Sequence, residues 1–258
     1  MALFKTSNPA LGQNTFSDAA RSQYGGSLVD AASRMTLSGT VNKTGILLLC
    51  AIATAAWTWN AFMQANKNSD LALGAIMLGG IGGFVFAMVT IFKKTWSPVT
   101  APIYALLEGF VLGGLSAMFE LRNPGIAIEA VGLTFGTLFV MLFLYKSGVI
   151  KVTQKFRMGV VAATGGIAIF YLLTWLLSMF HISVLSSVYG SGLIGIGFSL
   201  FVVAIASLNL VLDFDFVEQG VAYGAPKYME WYAAFGIMVT LVWLYLEMLR
   251  LLSKVRSR

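Results

Sequence analysis

The chain has 258 residues, of which 58% are hydrophobic and 11% charged, with a mean hydropathy of +0.81. Soluble domains carry roughly 25% charged residues, so the composition excludes a soluble globular protein and indicates an integral membrane protein. The formal charge of +6 lies in loops and at the carboxy-terminal end, where membrane topology accounts for it and no nucleic-acid partner is implied. Cys50 is the single cysteine, which excludes an internal disulfide. No HExxH, CxxC, GxSxG or phosphate-loop pattern occurs.

Residues 1–43 are rich in Ser, Asn, Gly and Thr and have no long apolar core, so they read as a polar, largely disordered amino-terminal arm. The first long apolar run begins only near Gly45, too late for a cleaved signal peptide. A membrane helix needs about 20 mostly apolar residues. Seven runs meet that length, at roughly 44–64, 71–92, 98–119, 126–145, 158–180, 187–212 and 230–252. The expected fold is therefore an all-α integral membrane protein, a seven-transmembrane-helix bundle over 44–252, followed by a basic tail at 253–258. Short polar loops join the runs, and none has room for a second domain.

With the amino terminus inside, the inner segments carry Lys5, Arg21, Arg34, Lys43, Lys93, Lys94, Lys146, Lys151, Lys155, Arg157 and Lys227. The outer loops then carry only Lys67 and Arg122, as the positive-inside rule requires. The tail, with Arg250, Lys254, Arg256 and Arg258, is the exception. Either it breaks the rule, or the segment 213–252 re-enters; seven full spans are the preferred reading. Small residues recur every four positions in the third span (Ala101, Ala105, Gly109, Gly113, Ala117), a stripe that lets membrane helices approach closely. GGIGG at 79–83 and the series Ser191, Gly195, Ser199 suggest the same.

Glu108, in IYALLEGFVLGG, is close to the middle of the third span, and Tyr104 one turn earlier is placed to hydrogen-bond it. An acid inside the membrane marks a proton or cation pathway, or else locks two helices together. The stretch LNLVLDFDFVEQG closes the sixth run and brings Asp213, Asp215 and Glu218 into an acidic loop at a helix end, with Asn209 one turn before Asp213. A helix C-terminus is already partly negative, so these acids call for a compensating cation. DFDFVE offers carboxylates to a cation such as calcium, with Asp213 as the candidate metal ligand, but lacks the spacing and glycine of an EF-hand loop. The seventh run opens at Glu230 and ends LYLEMLRLLSKVRSR, where Glu247 and Arg250 are spaced to pair on one helix face. Trp231, Trp243, Tyr228 and Tyr245 fit an interfacial aromatic belt. His181, in a short loop, reads as solvated.

YALLEGFVLGGLS in the third span, LDF closing the sixth and LYLEMLRLL in the last make the chain resemble the Bax inhibitor-1 (transmembrane Bax inhibitor motif) family, in its bacterial branch, over roughly residues 40–252. The resemblance implies six helices around a central carboxy-terminal one. It also implies a pH-sensitive calcium leak, gated by two acids that share a proton. Asp213 matches the family's acid at the end of the sixth helix. For the acid in the last helix, the letters LYLE point to Glu247, whereas the helix end LRLL points to Thr240, which cannot titrate. Glu247 lies roughly 25 Å along the helix from Glu230 at 1.5 Å per residue. By depth, Glu230 or Asp215 is therefore the better neighbour for Asp213.

The leading expectation is a pH-sensitive cation (calcium) leak or transporter of the bacterial inner membrane, without a bound cofactor, with Asp213, Asp215, Glu108, Glu230 and Glu247 as pathway or gate candidates. Tyr104, Asn209 and Arg250 are the supporting residues. Its partners are the lipid bilayer and calcium or protons. The alternative, also implied by the resemblance, is a non-conducting protein that acts on membrane proteases or stress responses, with the arm or the loop KSGVIKVTQKFR as its binding element. An intramembrane enzyme is the least supported class, because no nucleophile and base pair within a span.

Overall fold

The computed structural model describes residues 33–180, 188 and 190–257. Most of the amino-terminal arm, His181 and Arg258 therefore lie outside the described residues. The described chain forms seven long helices and no strand: α1 (Leu37–Met63), α2 (Ala65–Phe92), α3 (Ser97–Arg122), α4 (Ile126–Lys146), α5 (Gln154–Met179), α6 (Leu193–Ala222) and α7 (Met229–Arg256). A 3₁₀ turn, Lys94–Trp96, separates α2 from α3. All seven helices are long and apolar enough to cross a membrane. The protein is a multi-pass membrane protein, and α7 is one unbroken helix.

The helix ends follow local chemistry. Thr36 caps α1, its hydroxyl accepting from the Gly39 amide at 3.0 Å. The helix thus begins at Leu37, before the apolar run, because polar residues inside helical geometry do not stop a capped helix. Thr153 caps α5 in the same way. Gly224, at φ 65, ends α6 in the left-handed region and turns the chain back. Ala225 O then accepts from the Met35 amide at 2.7 Å.

One expectation is corrected. LNLVLDFDFVEQG is not a helix end followed by an acidic loop, since α6 runs on through it to Ala222. Helix continues because Phe214, Phe216 and Val217 keep supplying apolar surface beyond Asp213, and the stop signal is Gly224. Helical geometry also separates the acids. Asp213 is buried, Asp215 half-buried and Glu218 exposed, so they cannot close on one ion as a loop would.

Burial distinguishes the last two helices. The most apolar stretch of α7 is 61% buried and that of α6 56%, against 39% or less in the other five. The other helices turn large apolar side chains outward, such as Met77, Ile81 and Phe84 on α2 or Phe139 and Phe143 on α4. In water such a surface would aggregate; in a bilayer it is the lipid face.

The described chain divides into two compact units. One contains residues up to Leu121 together with Asp213–Val239, and the other contains Arg122–Leu212 together with the chain from Thr240 onward. In the first unit the small-residue stripe of α3 is buried. A Cβ at Gly109 would collide with Ala51 and Thr54 of α1, and one at Gly113 with the Ala55 backbone. Gly79 and Gly83 of the GGIGG run meet α3 at Leu107 and Glu108.

Candidate functional site

In the first unit, Glu230 sits in the opening turn of α7 and is 0% exposed. Its Oε1 accepts from the Thr36 amide at 2.8 Å, the Thr36 hydroxyl at 2.9 Å and Lys227 Nζ at 3.0 Å. Its Oε2 is paired with Lys43. Thr36 Oγ1 thus accepts from Gly39 while donating to Glu230, both roles of one hydroxyl being used. Gly39 is glycine for a reason of space, since a Cβ there would overlap the Glu230 carboxylate. Lys43 also lies over the Trp231 ring, 5.5 Å from its centroid. Both oxygens of this carboxylate are engaged, and through Thr36 and Lys43 it holds the start of α1 to the start of α7.

Glu108 belongs to the same unit. It is half-buried on α3, and its Oε2 faces Gly83 of α2. Tyr104 interacts with it through its hydroxyl, as the spacing predicts, and packs its ring edge-on against Phe235 of α7, with centroids 5.0 Å apart. Toward the loop, the same α3 face continues with Thr100, bonded by Thr90 at 2.8 Å, and Ser97, which donates to Tyr228 O at 3.0 Å.

In the second unit, Glu247 of α7 is also 0% exposed. Its Oε1 accepts from Arg250 at 2.5 Å and from the Tyr171 hydroxyl of α5 at 3.0 Å. The Arg250 guanidinium lies 5.5 Å from the Tyr171 ring centroid, so the three groups form one closed cluster. Glu247 Oε2, in contrast, is buried with no hydrogen-bond partner. Asn209 of α6 donates to Thr164 of α5 at 2.8 Å and to Ile205 O at 2.9 Å. The carboxy-terminal cations are taken up by oxygens: Lys254 by Val188 O, Gly195 O and Ser199 Oγ, and Arg256 by Pro124 O and Glu129. These contacts give the basic tail a packing role that charge counting along the sequence leaves unexplained.

Asp213 is 3% exposed, within the long α6 helix. Asp215 accepts from Gln219 one turn later at 2.6 Å. Among the described residues no three His, Cys, Asp or Glu side chains converge on a point that would hold a metal ion. Thr240, the alternative match in the last helix, is buried.

A family model described as Bax inhibitor 1 like matches residues 8–257. The chain belongs to that family. No curated protein and no solved structure matches it. Membership in the Bax inhibitor 1 like family thus extends over nearly all of the chain, and the seven long apolar helices agree with it.

Sequence reasoning picked out Glu108 with Tyr104 and Glu247 with Arg250, because both pairs are local on a helix. It missed Thr36, Lys43 and Tyr171, which meet their acids only through distant chain segments. It also read Lys254 only as a tail charge. The signals were faint but present: a threonine ahead of an apolar run, a tyrosine inside α5, and the series Ser191, Gly195, Ser199, two of whose members bind Lys254.

Proposed function

We propose that this protein is a pH-sensitive cation leak of a bacterial inner membrane, with calcium as the ion, a cytoplasmic amino terminus, and Asp213 as the acid whose protonation sets conductance. The observation that carries this reading is the burial of Asp213 inside α6, one of the two most buried helices of a Bax inhibitor 1 like chain. An acid in such a helix is costly and is retained where it binds a proton or cation. Glu230 is a poorer gate, since its oxygens are already held by Thr36, Lys43 and Lys227. Glu108, facing the glycines of α2, is the second acid of the pathway.

The test is calcium flux into proteoliposomes carrying the purified chain, across roughly pH 6 to 8, with Asp213→Asn alongside. The proposal expects flux that varies with pH in the native chain and loses that variation in the variant. Absence of flux above empty liposomes, with the protein folded, would reject it in favour of a second reading. There the chain is a non-conducting partner of membrane proteases or stress proteins, and its acids are fasteners. The Glu230 clasp is the observation on that side. Neither reading is enzymatic.

A further inference from the structure

Lys254, near the end of α7, donates to three oxygens: Val188 O at 2.8 Å, Gly195 O at 3.1 Å and Ser199 Oγ at 2.9 Å. Glu247 stands two turns earlier on the same helix. Its Oε2 is the buried carboxylate oxygen that no donor reaches. Arg250, beside Glu247, is turned to Oε1 and the Tyr171 ring, and Arg256 points away to Pro124 O and Glu129. Two backbone carbonyls and a hydroxyl are hard oxygen ligands of the kind that alkali and alkaline-earth cations take, in exchange for their hydration shell.

The cage is built into the fold. A Cβ at Gly195 would fall on Gly190 O and crowd Val188 O. Only glycine at 195 leaves room for the Val188 and Gly190 carbonyls against the opening turn of α6. An ammonium and a metal cation satisfy such oxygens by the same electrostatics. The ammonium prevails because it is tethered, and so present at high effective concentration.

We propose that this oxygen cage is a site for a hard metal cation, kept closed by the Lys254 ammonium acting as a tethered plug. The site holds whether or not the chain conducts ions.

The test is thermal unfolding of the full chain in detergent, in sodium, calcium or choline chloride at matched ionic strength. Lys254→Ala is expected to melt several degrees below the native chain in choline, and to recover saturably as sodium or calcium is added. The separate sodium and calcium titrations identify the cation that fits. The native chain and Lys254→Arg, whose cages stay filled, are expected to show no such recovery. Lys254→Ala/Gly195→Ala is expected to lose it, because the carbonyls are displaced. Equal melting of Lys254→Ala in all three salts would overturn the proposal and leave the contacts as a helix clasp, as would an equal cation response in the native chain. If Lys254→Ala does not fold in choline, Lys254→Gln replaces it. Folding of either variant only with sodium or calcium supports the site, and failure of both in every salt overturns it.

Discussion

Helix α7 carries a fully buried glutamate near each end, and the surroundings treat the two differently. Glu230 is met by a threonine through both its amide and hydroxyl, and by two lysines, with a glycine clearing space for it. It also lies in the first turn, where the helix dipole favours an anion. Glu247 has one oxygen shared by Arg250 and Tyr171 and another with no partner. It lies inside the helix, well before the last turn where the dipole favours the cations Lys254 and Arg256. Equal burial therefore does not give an acid one role. The donors that distant segments bring decide whether it is a fastener or an unsaturated site.

The largest expected effect comes from removing the fastener. Glu230→Ala strands Lys43 and the Thr36 donors and is expected to cost about 3–5 kcal/mol, the usual penalty for breaking a buried ion pair from one side. Reversible unfolding in detergent would measure it. A loss no greater than that of Glu247→Ala would erase the contrast between the two ends. Next is Gly39→Ala, whose methyl group must push the Glu230 carboxylate aside, with an expected loss of about 1–3 kcal/mol. Combining Gly39→Ala with Glu230→Ala should bring almost no further loss, because one contact is being broken twice.

Glu247→Gln is expected to cost less, about 1–2 kcal/mol, since the amide oxygen still accepts from Tyr171 and Arg250 while its nitrogen takes the unpartnered position. A loss as large as that of Glu230→Ala would show that Oε2 has a strong partner after all. The smallest effect is expected at the half-exposed pair Arg256–Glu129. Arg256→Ala should cost less than about 1 kcal/mol and fade further as salt is raised. An effect of the same size at low and high salt would point instead to its bond with Pro124 O.

Much of the site was legible wherever chemistry repeats over one or two turns. Tyr104 with Glu108 and Glu247 with Arg250 are neighbours on a helix face whatever the fold does. The α3 stripe likewise had to face another helix closely, and its partner proved to be α1 at Ala51 to Ala55. The acidic stretch at 208–220 was misread as a helix end because charge usually marks the edge of a membrane span. Here the apolar surface of Phe214, Phe216 and Val217 outweighed that pattern, and the helix ran on to its glycine stop.

By itself, the sequence determined that the chain is a membrane protein of seven helices, because spanning a bilayer depends on length and hydropathy, which are local sums. Family membership was legible for the same reason, in short helix-borne motifs. Only the tertiary structure decided what each buried charge is for. Glu230 meets Thr36 across 194 positions of chain, Glu247 meets Tyr171 across 76, and Lys254 meets Val188 across 66. Hydrogen bonds act over a few ångströms in space and carry no trace in sequence spacing, so those pairings exist only once the helices have packed.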